Sequence, residues 1–179
     1  RLGYRVVLLD PARSIEQAIA QIRDVAALIG HADRGEMLVG RIETAVKNAR
    51  SVIAGLEARP SAAVYQRRGY VTGGETLAAD LMAVTGIDNA GATLAGRIGG
   101  FVPLERLVDT RPDVLIVAAA DARPEDQGTA LLAHPALLRL YPPERRMILP
   151  ERLTVCGGPS LPAALERLAA EVKRIAGPQ

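Results

Sequence analysis

Residues 14–60 form a long run of helical periodicity with few helix-breaking residues, and this run most constrains the fold. From residue 38 onward the apolar side chains recur at spacings of three and four, which places them on one face of a helix. They are Leu38, Ile42, Ala45, Val46, Ala49, Val52, Ile53 and Leu56. A helix over residues 33–58 would be about 39 Å long. Because this exceeds the diameter of a small domain, the helix is predicted to join two bodies.

Two shorter elements are predicted before the long helix. Residues 4–9 are apolar and β-branched and predict a strand that ends at Asp10-Pro11. Ser14 and Gln17 have the spacing of a capping box, so a helix is predicted from residue 14 to residue 29, where Gly30 ends it. Asp33 is the predicted N-cap of the long helix.

After residue 60, short strands and helices alternate. The predicted strands are 62–65, 114–118 and 146–149, and the predicted helices are 75–84, 104–109 and 161–175. Residues 130–140 are predicted to form a helix or two short turns broken at Pro135. This alternation predicts an α/β fold, a three-layer sandwich with a mainly parallel central sheet that is preceded by the long linker helix. Ligands of such sheets bind beyond the carboxyl ends of the strands. The predicted ligand face therefore comprises loops 66–74, 119–127 and 153–159.

Composition excludes several classes of protein. The chain has 179 residues, 49% of them apolar, which suffices for one domain and an appendage. No window approaches about eighteen uninterrupted apolar residues, so a membrane-spanning helix is excluded. The net charge of +2 is spread along the chain, which disfavours a nucleic-acid partner. Because the sequence begins at Arg1 without Met or a signal peptide, we expect a fragment or a processed product.

The first loop concentrates phenols and guanidiniums. Arginine offers fork-shaped donors to carboxylates and other oxyanions, and tyrosine offers a flat apolar face with a polar tip. A large, partly anionic ligand would suit this loop, although an ordinary exposed loop explains the same residues equally well. The candidate ligand-binding residues are Tyr65, Arg67, Arg68, Tyr70 and Thr72 from the first loop, Asp121 from the second, and Cys156 and Gly157 from the third.

No signature of catalysis or of a metal site is present. Cys156 is a candidate nucleophile or soft metal ligand, but an isolated cysteine is more often a small apolar filler, which is the interpretation we favour. His31 and His134 are isolated and lack the spacing of metal ligands, and they are predicted to be surface or capping residues. Neither a Ser/His/Asp arrangement nor Gly-x-Ser-x-Gly occurs. We therefore expect no enzyme and no cofactor.

Several segments, in this order and spacing, carry a resemblance to a known family. They are Asp10-Pro11 followed by Ser14-Ile15-Glu16, the Gly30 turn into the long helix, Tyr70-Val71-Thr72-Gly73-Gly74, Val84-Thr85-Gly86-Ile87-Asp88-Asn89-Ala90, and Val102-Pro103-Leu104-Glu105-Arg106-Leu107 followed by Arg111-Pro112-Asp113-Val114. Together they resemble the carboxyl-terminal portion of the ABC-transporter substrate-binding proteins that handle iron–siderophores, haem and cobalamin.

The resemblance implies two α/β lobes joined by a rigid helix, with a metal chelate held between them and delivered to a membrane permease from the periplasm. It implies that residues 1–13 are a remnant of the amino-terminal lobe, residues 14–60 contain the linker helix, and residues 61–179 are the carboxyl-terminal lobe. The rest of the amino-terminal lobe is expected to be missing, or replaced by a second copy. Glu105 occupies the place of an acidic residue that docks onto the permease.

Two alternatives remain open at this point. An α/β enzyme would use Gly73-Gly74 or Gly157-Gly158 to hold a nucleotide or another oxyanion. A structural domain would instead pair its long helix with another copy of the chain.

Overall fold

The structure is a computed structural model that describes residues 6–56, 58–118, 130–154 and 156–176. Helices α1 (Ile15–Leu28) and α2 (Ala32–Ile53) come first in the described chain. At the start of α1, the Ser14 hydroxyl accepts a hydrogen bond from the Gln17 amide at 3.1 Å, and the Gln17 side chain accepts one from the Arg13 amide at 2.8 Å. The predicted capping residues of α1 are thereby confirmed.

The long helix differs from its prediction at both ends. His31 is the N-cap of α2, whereas Asp33, the predicted N-cap, lies in the first turn. The helix ends at Ile53, so its 22 residues span about 33 Å. A carboxylate in the first turn interacts favourably with the helix dipole even when it caps no amide. This interaction explains an aspartate at position 33.

Helices α1 and α2 form a hairpin. Gly30 adopts a φ of +74° after α1, a backbone conformation that favours glycine. Gly35 of α2 lies directly against α1, because a Cβ at this position would be 2.5 Å from that of Ala26. An ion pair between Arg23 and Glu36 at 2.8 Å joins the exposed sides of the two helices.

The remaining elements build two sheets. The strands are β1 (Ser61–Val64), β2 (Tyr70–Thr72), β3 (Asp88–Asn89), β4 (Gly99–Phe101), β5 (Val114–Val117) and β6 (Arg146–Ile148). The helices are α3 (Leu77–Val84), α4 (Gly91–Ala95), α5 (Leu104–Thr110), α6 (Pro135–Leu140) and α7 (Leu161–Ala176). The central sheet has the order β3-β1-β5-β6 with every neighbouring pair parallel, and β2 and β4 form a separate antiparallel ribbon.

Helices cover both faces of the central sheet. Val114 and Ile116 of β5 pack on one face against α1, α2, α3 and α7, whereas Leu115 and Val117 pack on the other against α4, α5 and α6. A strand buried on both faces has a continuous apolar sequence, which is why β5 was predictable. The structure confirms an α/β three-layer sandwich with a mainly parallel sheet. No helix among the described residues has the length and apolarity needed to cross a bilayer.

Residues 6–9, the described part of the predicted first strand, do not form a strand. Residues 6–9 pair with no described strand, and Val6 and Leu8 are 76% and 90% exposed. An apolar β-branched run forms a strand only where a neighbouring strand takes its backbone hydrogen bonds.

The predicted second ligand loop, residues 119–127, lies outside the described residues.

The amino ends of β1 and β5 are fixed together by a side-chain clamp. One carboxylate oxygen of Asp113 accepts hydrogen bonds from the Ser61 amide at 2.9 Å and the Ser61 hydroxyl at 2.7 Å. These bonds hold the pKa of Asp113 below its ordinary value. The clamp sets the register of the two central strands and thus brings their carboxyl ends level.

Candidate ligand-binding site

The ribbon lies at the carboxyl end of β1. The chain leaves β1 through Tyr65, makes a turn at Arg67–Gly69 and enters β2, whose Val71 forms a bridge back to Tyr65. The amide of Gln66 donates to the Tyr70 carbonyl at 2.8 Å and closes the turn. Because ligands of parallel sheets bind beyond the carboxyl ends of the strands, the ribbon stands where a ligand is expected.

Four exposed or partly exposed side chains lie on the ribbon and on the turn that leads into it, and we call them the ribbon surface: Arg67 and Arg68 in the turn, and Tyr70 and Phe101 in the strands. Tyr70 and Phe101 are directly opposite in the ribbon, with ring centroids 5.6 Å apart and ring planes at 79°. Phe101 is 70% exposed, and Arg68 has no ion-pair partner among the described residues. An aromatic pair that follows a turn with two arginines suits a ligand with a flat apolar face and anionic groups.

The base of the ribbon is held by backbone hydrogen bonds. The amides of Gly73, Gly74 and Glu75 donate to the carbonyls of Ile98, Gly96 and Arg97 at 3.1, 3.0 and 2.6 Å. The Arg97 guanidinium also makes two hydrogen bonds to the Glu75 carboxylate, at 2.5 and 2.7 Å, which lower the pKa of that carboxyl. The amides of Gly73 and Gly74 are therefore occupied within the protein and do not form a cradle for an oxyanion.

Tyr65 is buried beneath the ribbon rather than exposed on it. Its side chain is 1% exposed and belongs to the core on the α4–α6 face of the sheet. Its hydroxyl has no hydrogen-bond partner among the described residues, and burial, with a smaller contribution from Glu105, raises its pKa to about 12. Thr72 is also buried, at 8% exposed. The structure thus buries two of the predicted ligand-binding residues, Tyr65 and Thr72.

The third predicted loop makes a structural contact. A Cβ on Gly157 would lie 2.9 Å from that of Ala18, so glycine permits the close approach of this loop to α1. Cys156 is exposed, and the interpretation of this residue as an apolar filler was wrong. Asp121, the predicted residue of the second loop, lies outside the described residues. Arg67, Arg68 and Tyr70 therefore lie in the turn and the first strand of the ribbon, whereas Gly157 lies against α1.

The remaining candidates have local roles. The His134 ring accepts a hydrogen bond from the Ala136 amide at 3.2 Å and caps α6, as a capping residue was predicted to do. Glu105 is exposed in the first turn of α5, where the helix dipole favours a carboxylate. Among the described residues, no three His, Cys, Asp or Glu side chains are grouped so that they could hold a metal ion.

Sequence reasoning missed Phe101. The signal was available, because the chain has only five Tyr and Phe residues and no Trp, so an aromatic at the end of a glycine-rich stretch is unusual here. It was missed because β4 is only three residues long, two of which are glycine, and shows no strand periodicity.

Comparisons with known proteins give consistent results. The sequence profile described as periplasmic binding protein matches residues 1–140. The structure is similar to the periplasmic heme-binding protein RhuT from Roseiflexus sp. RS-1, with 25% identity, a TM-score of 0.73, and coverage of 92% of this chain and 65% of that one. It is also similar to an ABC-type Fe3+-hydroxamate transport system protein from Saccharomonospora viridis DSM 43017, with 24% identity, a TM-score of 0.73, and coverage of 90% and 57%.

A third similar structure is the heme binding protein HmuT, with 21% identity, a TM-score of 0.76, and coverage of 98% of this chain and 59% of that one. A search of the curated proteins found no match. The chain thus spans 57% to 65% of the length of these three solved structures.

Proposed function

The chain belongs to the periplasmic binding protein family, and on that premise we propose that it is the linker helix and carboxyl-terminal lobe of the solute-binding component of an ABC importer. A solute-binding role follows from the family. The identity of the solute, its delivery to a permease and the division of the chain are our proposal. In that division α2 is the linker helix, residues 61–179 are one lobe, and the opposite wall of the ligand site belongs to a second α/β lobe or to a second copy.

The observation that carries the proposal is the ribbon surface. Its exposed aromatic pair lies at the carboxyl end of β1, on a ribbon whose base is fixed by backbone hydrogen bonds. A surface that is already ordered loses little conformational entropy when a ligand binds to it. An exposed Phe paired with Tyr, on a ribbon entered through a turn with two Arg, is therefore better explained by a ligand than by packing.

We propose a metal chelate as the solute. Haem, ferric siderophore complexes and corrinoids combine extended apolar or flat surfaces with polar or anionic groups, which the aromatic pair and the arginines of the ribbon surface match. Two of the similar structures are named as a heme-binding protein and as part of a Fe3+-hydroxamate transport system. The proposed compartment is the periplasm, in keeping with the family.

Ligand binding is tested by titrating the chain with haemin, a ferric hydroxamate complex and cyanocobalamin, each followed by absorbance and calorimetry. We expect one of these probes to bind with a micromolar dissociation constant. Phe101→Ala is expected to weaken that affinity about tenfold, which corresponds to about 1.4 kcal/mol, because it removes one wall of the aromatic pair.

The matched control is Met37→Ala, which removes another exposed apolar side chain, 70% exposed on α2, and is expected to leave the affinity unchanged. If none of the three probes binds, the metal-chelate proposal fails for these ligands. If a probe binds equally well to the Phe101→Ala variant, the ligand does not use the ribbon surface.

We also propose that Glu105 is a docking residue for the permease. It is exposed on a short helix that directly follows the ribbon, which makes it a rigidly presented negative charge. Glu105→Arg is expected to reduce uptake by reconstituted transporter strongly while ligand affinity changes less than about twofold, since reversing a charge at an interface opposes a like charge on the partner. Exposed Glu144→Arg serves as the control for the change in net charge. Normal uptake with Glu105→Arg would show that the permease does not contact this carboxylate.

A further inference from the structure

Strand β6 is at one end of the central sheet, and no described strand pairs with its outer side. Met147 lies opposite Ile116 of β5, and the Leu149 amide donates to the Val117 carbonyl at 2.9 Å, so residues 147 and 149 face β5. Backbone groups alternate in direction along a strand. The carbonyls of Arg146 and Ile148 therefore point away from the sheet, where an edge strand offers its groups to another chain.

Both outward carbonyls are taken by α7. The Arg167 guanidinium donates to the Ile148 carbonyl at 2.8 Å, and the Arg174 guanidinium donates to the Arg146 carbonyl. Two successive turns of α7 thus cover the two hydrogen-bond acceptors that the edge of β6 would present.

A single carboxylate holds the two arginines in place. Glu171 is 5% exposed, and its two oxygens lie 2.7 Å from Nη2 of Arg167 and 2.7 Å from Nη2 of Arg174. Each guanidinium has five N–H donors, so it can bind the carboxylate and a carbonyl at the same time. We call Arg167, Glu171 and Arg174 the edge clamp.

We propose that the edge clamp closes β6 to strand addition and so prevents a second copy of this chain from pairing along this edge. This role does not depend on the solute or on the ribbon surface. A charged group that covers an edge strand is a general means by which proteins avoid edge-to-edge association.

The test is the double variant Arg167→Gln, Arg174→Gln, examined by size-exclusion chromatography with light scattering in the range of tens of micromolar. We expect the weight-average mass to rise by about twofold or more relative to the unmodified chain, and to fall on dilution, because both carbonyls become available for pairing. The control is the double variant Lys173→Gln, Arg139→Gln, which removes the same two positive charges from exposed positions and is expected to behave like the unmodified chain.

A third change identifies the surface that associates. Ile148→Pro removes an outward-facing N–H, which edge strands tolerate, and it should return the associated variant to its original mass. A clamp variant that remains folded and keeps the mass of the unmodified chain overturns the proposal, as does association that survives Ile148→Pro. If the double variant fails to fold, the single variants Arg167→Gln and Arg174→Gln decide the question, because each frees one of the two outward carbonyls. An unchanged mass for both single variants likewise overturns the proposal.

Discussion

Gly73→Ala is expected to destabilise the protein by about 3 kcal/mol and to abolish ligand binding at the ribbon surface. A Cβ at this position would lie 2.5 Å from the Gly96 carbonyl oxygen, the Ile98 carbonyl carbon and the Gly99 amide nitrogen. All three atoms belong to the backbone, so the contact cannot be relieved by a change of side-chain rotamer. The two strands of the ribbon must separate, and the hydrogen bonds at its base are lost. Urea unfolding measures the stability, and the chelate titration measures the binding.

The control for Gly73→Ala is Gly40→Ala, which makes the same chemical change in the middle of α2. A Cβ there meets no atom within 4 Å, and alanine is the better helix former, so this variant is expected to gain about 0.5–1 kcal/mol. Equal effects of the two substitutions would show that the close approach at Gly73 is not what holds the ribbon together.

Ile42→Ala is expected to lower the free energy of unfolding by about 3–4 kcal/mol. The substitution leaves a cavity where α2 packs against the sheet and against α3 and α7. Ile42 is fully buried in the core that α2 shares with α3 and α7. Urea unfolding of Met37→Ala provides the comparison, since this side chain on the same helix is 70% exposed and its loss should change the stability by less than about 0.5 kcal/mol. If both variants unfold at the same urea concentration, α2 is not part of the cooperative core.

The elements that sequence reasoning predicted well are those whose burial leaves a clear pattern. Strand β5 is buried on both faces and is continuously apolar, and the residues at spacings of three and four on α2 include Ile42, Ala45 and Ala49, which are all buried. In both elements the spacing of apolar residues within a short stretch of sequence shows which side chains are buried.

The elements that were missed depend on partners that are distant in sequence. The ribbon joins residues 70–72 to residues 99–101. Gly73 and Gly99 are required by the close approach of backbone atoms, and Gly99 also by its φ of +126°. Tyr65 was assigned to the ligand surface, but β1 is a central strand covered on both faces, and the Tyr65 side chain continues the buried positions of that strand. Residues 6–9 have the composition of a strand but no described strand beside them to take their backbone hydrogen bonds, so they do not form one.

The hydrogen-bonded base of the ribbon has a kinetic consequence. A binding surface that needs no rearrangement can be occupied in nearly every correctly oriented encounter, so association rates for ligands of similar size and charge should differ little. Differences in affinity among such ligands would then reside in how long each stays bound. Discrimination between solutes by this protein would be a matter of residence time.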